Sequence, residues 1–360
     1  MRTIKTSHSC NLQASCYNCA TPMKPLPTIS GLHRTISSIQ SLALLLCTAA
    51  VPSAIAQKPE LKATGVNDPS VRREMANIHP AATLQLPLNP DWFTVTGDAV
   101  WVTSSRSNVV TQILEKTNRI GLSISVQRPC SGLAFGFDSL WIPSCGTHSL
   151  VRADPKTGKI LAEVAASPAQ SEGGITVGAG SVWMVTDKEG ILSRIDPTTS
   201  KIQATVSIPS GSYNPLFADG YVWVSSNEHS ELVKVDPATN KVVATIPTGK
   251  NPRFLTYGDG SVWTLNQGDG TISRIDTKTA KNIANIHAGI PGEGGEISFG
   301  FGSAWATLFG FPITRISASS NAVTEQWIGD GGDSIRAAHG SIWLTNYKTG
   351  AVWRFAPEQK

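Results

Sequence analysis

From residue 80 onward the chain alternates short apolar runs with polar, glycine- or proline-bearing turns, and the alternation keeps a beat. A turn glycine followed by a tryptophan-bearing strand recurs as GDAVWV, GFDSLWI, GSVWM, GYVWV, GSVWT, GSAWA and GSIWL. This sets Trp101, Trp141, Trp183, Trp223, Trp263, Trp305 and Trp343 at steps of 40, 42, 40, 40, 42 and 38 residues. Four strands of about five or six residues with their turns fill such a step, whereas helical hairpins would show apolar stripes at a period of about 3.6, which are missing. Each unit therefore reads as a four-stranded antiparallel blade.

Within a unit the tryptophan strand is followed by a polar corner and a third strand such as ILSRID or ELVKVD. The next turn is Asp154-Pro155-Lys156-Thr157, Asp196-Pro197-Thr198-Thr199, Asp236-Pro237-Ala238-Thr239 or the variant Asp276-Thr277-Lys278-Thr279. Aspartate at the first position caps backbone N–H groups and proline at the second presets φ, so these aspartates are structural. A fourth strand such as KIQATVSI comes after it, and the next unit opens on a Gly- or Pro-rich entry and an inner strand such as RFLTYG. The last unit stops after SIWLTN and AVWRFA without a fourth strand, while Ala82 to Trp101 aligns without a gap on Ala244 to Trp263. The N-terminal strand is expected to complete the last blade, closing an all-β, seven-bladed propeller over residues 80–360 and removing the exposed edges that an open array would offer to other chains. The seven tryptophans then wedge between neighbouring blades.

Residues 57–79 form an extension in which Asp68 as N-cap and Pro69 at the first helical position predict a short helix to about Asn77. Residues 1–56 read as a signal peptide, with Lys24 and Arg34 upstream of the apolar run SLALLLCTAAVPSAIA and a small-x-small close at Ala54-Ile55-Ala56. No run approaches the roughly 20 apolar residues that span a bilayer, so export to the periplasm or medium is expected, without a transmembrane segment. The formal charge of +4 comes from Arg2, Lys5, Lys24 and Arg34, because the first 56 residues contain no acid. What remains balances 26 basic against 26 acidic side chains, and the electrostatic case for nucleic acid disappears. Cys10, Cys16, Cys19 and Cys47 fall in the leader, leaving Cys130 and Cys145 for the mature chain. In an oxidising compartment a disulfide is the default for such a pair. Cys130 opens an inner strand and Cys145 ends its antiparallel neighbour, a placement that suits a bond, with two buried thiols as the alternative.

In a propeller the entries to the inner strands and the corners between second and third strands form one funnel. Counting back nine to twelve residues from each tryptophan puts Asp91, Trp92, Cys130, Ser131, Glu172, Tyr213, Asn214, Arg253, Glu293, Glu296 and Asp333 there, with Arg336 a little farther down. Corners add Arg106, His148, Lys188, Glu228, His229 and Tyr347. These positions differ from unit to unit, as an asymmetric site on a symmetric frame requires. Asp91, Trp92, Tyr213, Asn214, Arg253, Asp333 and Arg336 are the candidate ligand-binding residues. Glu172, Glu293 and Glu296 are the candidate acids or bases, and the carboxylates together offer oxygen ligands for Mg²⁺ or Ca²⁺. No histidine pattern suited to zinc occurs, and no nucleophile elbow or phosphate loop.

The units GSVWMVTDKEGILSRIDPTTSKIQATVSI and GSVWTLNQGDGTISRIDTKTAKNIANI resemble the YVTN-type seven-bladed propellers and, more loosely, streptogramin B lyase (virginiamycin B lyase) and its relatives. The resemblance spans residues 80–360 and rests on the blade scaffold. For lyase relatives it implies a histidine, glutamates and magnesium acting in an elimination. Here Arg128-Pro129-Cys130 places cysteine where an RPH-like entry would put the base, and no inner-strand entry carries histidine. Two functions are therefore expected as alternatives. One is an exported monomer that binds a small molecule, glycan or partner protein at its funnel. The other is an extracytoplasmic lyase or lactone hydrolase that works through the funnel carboxylates.

Overall fold

A computed structural model of the chain describes residues 62–358, so the expected signal peptide, with Cys10, Cys16, Cys19 and Cys47, lies outside the described residues. Seven antiparallel sheets succeed one another around a ring. Inner strands of successive blades touch in chain order, and the strand at Ile335–Ala338 meets the one at Pro90–Val95 to close the circle. Blade 1 spans Pro90 to Ser125, blade 2 Ala134 to Val164, blade 3 Ile175 to Ser207, blade 4 Ser212 to Pro247, blade 5 Pro252 to His287 and blade 6 Ile297 to Gly329. Blade 7 takes three strands from the C-terminal segment, Ile335–Ala338, Ser341–Asn346 and Ala351–Phe355, and its fourth from Ala82–Gln85. The expected closure is therefore observed, with Ala82 paired to Arg354 and Gln85 to Ala351. Among the described residues no helix is long and apolar enough to cross a membrane.

The tryptophan strand is buried along its whole length in five of the blades, while outer strands such as Arg119–Ser125 and Lys201–Ser207 are mostly exposed. All seven repeat tryptophans are fully buried between blades, and the Trp141, Trp183, Trp223, Trp263 and Trp305 indoles each donate to the carbonyl five residues upstream. Opposite each tryptophan, on the third strand, stands a cation in six of the seven blades: Arg152, Arg194, Lys234, Arg274, Arg315 and Arg354. Each lies over its tryptophan ring at 4.7 to 5.3 Å, a cation–π geometry. Their donors reach the lower turn of the next blade, as Arg194 does to the Pro237 carbonyl at 2.7 Å and Arg274 to the Ala318 carbonyl at 2.6 Å. Arg354 carries the same clamp across the closure, to the Glu115 carbonyl at 2.7 Å and Asn118 Oδ1 at 2.9 Å. Blade 1 has Gln112 instead, whose side-chain oxygen accepts from its own blade at Leu122 N.

The extension departs from the expected helix. Asp68 does cap a turn, accepting from Ser70 N at 2.9 Å, but the turn is a single 3-10 turn at Pro69–Val71. Arg72–Glu74 then runs as a strand parallel to the outer strand of blade 6, and a second 3-10 turn comes after it at Met75–Asn77. The free edge of blade 6 offers unpaired backbone groups, and pairing with them outweighs a short helix with few neighbours to pack on.

Cys130 and Cys145 are bonded, with Cα atoms 5.8 Å apart and 15 residues between them in sequence. Backbone bonds from Cys130 N to the Pro143 carbonyl and from Cys145 N to the Arg128 carbonyl hold the two strands together at that point. Cross-linking a loop of this length is worth about 3 kcal/mol in the chain-entropy view. The Cys130→Ser, Cys145→Ser double variant is expected to lose about that much in guanidinium unfolding. An unchanged midpoint would mean that the hairpin is fully organised without the bond.

Candidate functional site

The inner strands bring one residue from each blade to every level of the channel. Trp92, Gly132, Gly174, Asn214, Phe254, Glu296 and Ser334 each stand nine residues before their blade's tryptophan. At this level the rings of Trp92 and Phe254, from blades 1 and 5, meet edge-on across the axis with centroids 5.4 Å apart. The two glycines make room. A Cβ on Gly132 would come within 3.3 Å of the Trp92 ring, and one on Gly174 within 2.7 Å of Asn214 Oδ1. Two large aromatics therefore bar one side of the channel, and blades 2 to 4 leave the other side open.

Above the aromatic pair lies the mouth. Asp91 and Glu172 line a cleft of about 400 Å³ together with Arg106, Arg128 and Tyr347. Asp91 accepts from the Ser334 hydroxyl at 3.0 Å, and Asp333 accepts from Gly295 N at 3.3 Å. Burial pushes the Asp91 carboxyl well above its usual range, and the negative charges of Asp333 and Glu172 push it further. Burial and the nearby Asp333 charge raise Glu172 to about 7, against the pull of Arg253. Burial also raises Asp333 to about 6, against its backbone hydrogen bond and with help from Glu296. The mouth thus holds three carboxyl groups whose burial and mutual repulsion outweigh the cations around them. Arg253 lies over the Tyr213 and Phe254 rings at 5.7 and 5.6 Å, and its Nε has no partner among the described residues. Burial raises the Tyr347 and Tyr213 phenols as well.

Glu296 behaves differently from the mouth acids. It is 4% exposed and fully engaged: Oε1 pairs with Arg336 Nη2 at 2.7 Å, and Oε2 accepts from Ile335 N at 3.1 Å. Arg336 also donates to the Phe93 carbonyl at 3.0 Å. This ion pair joins blades 6, 7 and 1 at the channel wall. Burial still raises Glu296, with Arg336 opposing. Glu293 stands apart, exposed in a separate cleft beside Lys62 and Phe309. The structure thus brings Asp91, Glu172, Asp333, Arg253 and Tyr213 to the mouth, sets Trp92 and Asn214 in the channel below, and ties Glu296 to Arg336. At the corners, Ser210 Oγ reaches Glu228 at 3.2 Å and His229 Nε2 at 3.4 Å. Ser334, Phe254, Gly132 and Gly174 do not stand out in the sequence, since none carries a charge and each is an ordinary residue for an inner strand or its entry. The signal that marks them is the nine-residue offset applied to every blade alike. Among the described residues no group of three or more His, Cys, Asp or Glu is placed to hold a metal ion.

Ring and mouth together define a seven-bladed propeller with an acidic, asymmetric channel. Residues 86–330 match the family model described as a domain of unknown function (DUF5074), and the chain belongs to that family. No curated protein matches it. Among solved structures it is similar to virginiamycin B lyase from Staphylococcus aureus, at 19% identity and TM-score 0.63, over 76% of this chain and 97% of that one. A catalytically inactive histidine-to-alanine variant of that lyase with quinupristin gives TM-score 0.65, again at 19% identity and with the same 76% and 97% covered. Kuenenia stuttgartiensis hydrazine synthase is similar at 12% identity and TM-score 0.63, over 79% of this chain and all of that one. At these identities the likeness speaks for the propeller fold, a frame that carries unrelated chemistries.

Proposed function

We propose that this is an exported propeller whose funnel mouth binds a small cationic molecule bearing amine groups. The carrying observation is the set of three carboxyls, Asp91, Glu172 and Asp333, that burial raises, with the Asp333 charge adding to the rise of both Asp91 and Glu172. An ammonium group between them supplies a counter-charge, and Tyr213 and Tyr347 offer π faces on the walls. Export is supported by the leader and by the disulfide. An amine suits the mouth better than a divalent cation, since the acids do not converge into an oxygen cage.

Calorimetric titration with putrescine tests this reading. Saturable binding is expected at pH 8, with affinity falling about tenfold at pH 5 as Glu172 and Asp333 take up protons. Glu172→Gln is expected to weaken binding at pH 8 by about the same factor. If Mg²⁺ or Ca²⁺ raises the melting temperature and putrescine does not, the occupant is a metal and the amine reading fails. A second reading has one observation in its favour: Glu172 near 7 beside Asp333 near 6 is a pair suited to proton transfer at neutral pH, as a lyase or lactone hydrolase requires.

A further inference from the structure

Blade 2 departs from the other six at its inner strand. That strand is three residues long, Ala134–Gly136, where the others run from four to seven. Above it the chain leaves its own sheet and bonds across to blade 3. Ser131 N donates to the Ser171 carbonyl at 2.7 Å, Ser131 Oγ to the Gln170 carbonyl at 2.7 Å, and Gly132 N to the Gly173 carbonyl at 2.9 Å. Three of the four carbonyls in the turn Gln170-Ser171-Glu172-Gly173 are therefore held by two residues of blade 2. That turn presents Glu172 to the mouth cleft.

The departing segment is strained. Arg128 and Ser131 sit in the left-handed region, at φ 44° and 64°, a conformation that residues other than glycine keep where their surroundings enforce it. Here the hairpin enforces it. Cys130 is bonded to Cys145, Cys130 N and Cys145 N pair with the Pro143 and Arg128 carbonyls, and Arg128 N donates to Asn108 Oδ1 at 2.7 Å. Cys130 lines the mouth cleft together with Glu172, and Cys145 is half-buried at the corner. We infer that the Cys130–Cys145 bond and Ser131 are positioning elements of the mouth. They fix the blade 3 turn that carries Glu172, so opening the bond lets that turn relax toward solvent and weakens the grip on an amine. The geometry stands on the hydrogen bonds just described, and the choice of ligand rests on the amine reading of the mouth. A dithiol opens the bond when its thiolate attacks Cys145 Sγ and expels the Cys130 thiolate. Its second thiol then displaces Cys145 and closes a cyclic disulfide, so two electrons and two protons pass from the dithiol to the cysteines.

Dithiothreitol reduction of the full chain, checked by alkylation of both thiols, tests this beside Ser131→Ala, which keeps the disulfide and removes the hydroxyl bond to Gln170. Carbon-13 spectra of the side-chain carboxyls follow Glu172, assigned by its loss in Glu172→Gln. In the oxidised protein Glu172 is expected to titrate at about 7; in the reduced protein and in Ser131→Ala it should move down toward its ordinary 4.5, while Asp333 stays at about 6. Putrescine at pH 8 should bind about fivefold more weakly after reduction and about threefold more weakly in Ser131→Ala, with full affinity regained on reoxidation. Glu172 is mostly ionised at pH 8 in every form, so this loss reads its position and not its protonation. The inference is overturned if Glu172 titrates alike in the oxidised, reduced and Ser131→Ala proteins. Saturable putrescine binding of equal strength in all three also overturns it, and leaves the amine reading standing. If Glu172 moves on reduction while putrescine binds no form, the positioning holds and the amine reading fails. Should the reduced chain unfold, Ser131→Ala decides alone by the same two measurements.

Discussion

Between pH 8 and pH 5 the folded protein is expected to become more stable, by an amount on the order of 3 kcal/mol, with a melting temperature higher by roughly 5–10 °C. The cause lies in the mouth. Glu172 is raised from 4.5 to about 7 and Asp333 from 3.8 to about 6, and burial lifts Asp91 and Glu296 in the same direction. These acids hold protons more tightly folded than unfolded, so in this window the native chain binds more protons than the denatured one. Stability is then lost as pH rises through the folded values, and the contribution is complete only below the unfolded ones. One pKa unit is worth about 1.4 kcal/mol, and because Glu172 and Asp333 act on each other their shifts do not simply add. The turn aspartates Asp154, Asp196, Asp219 and Asp276 are lowered by hydrogen bonds, so their effect falls below about pH 4, outside the window. Scanning calorimetry at pH 5, 6, 7 and 8 reads the slope directly. The Glu172→Gln, Asp333→Asn double variant is expected to lie nearly flat and to exceed the native protein in melting temperature at pH 8. Parallel slopes for the two proteins would place the responsible charges elsewhere.

That same double variant separates the scaffold from the site. A protein that becomes more stable when its mouth acids are removed is keeping those acids at a cost to folding, which is the pattern of a site shaped for something other than stability. The Glu296–Arg336 pair provides the contrast. Both carboxylate oxygens of Glu296 are engaged, and it joins three blades, so its role is to hold the channel wall while Asp91, Glu172 and Asp333 stay available.

The fold was legible because its determinants are local and repeated. Each GSVW-type element states a turn and a buried strand, each Asp-Pro turn states the next reversal, and seven copies at a forty-residue beat leave one architecture that buries them all. Closure was legible for the same reason, since Ala82 to Trp101 carries the pattern of an interior unit. The extension was not, because Asp68-Pro69 specifies only how a turn begins, and the path of Arg72–Glu74 depends on the blade 6 edge waiting beside it. The mouth was legible in part. Counting back from the tryptophans found the acids, but counting cannot show that Glu296 is tied up by Arg336 while Glu172 is not, since that depends on rotamers from adjacent blades. The Arg–Trp clamps went unread for a related reason: each arginine looks like an ordinary exposed strand residue until the next blade's turn is set against it.

Replacing Leu84 with aspartate is expected to destabilise the protein by roughly 3–5 kcal/mol, the range for losing a buried leucine and burying an unpaired polar group in its place. The strand Ala82–Gln85 is only four residues long, yet it alone completes blade 7. Leu84 is 7% exposed and packs in one cluster with Phe93, Trp343 and Val352, so it ties the first and last blades into a common core. Thr83, the adjacent residue, is exposed and pairs with Trp353, which makes Thr83→Asp the control for charge on the strand without loss of packing. Loss of this strand also uncovers the backbone edge of Ala351–Phe355, which can then pair with another chain. Guanidinium unfolding should show the large loss for Leu84→Asp and less than about 1 kcal/mol for Thr83→Asp. Light scattering should find the native protein monomeric and Leu84→Asp increasingly associated as concentration rises. Equal stability of the two variants would mean that the ring is held shut by the Arg354 clamp and the inner-strand contacts, with the borrowed strand contributing little.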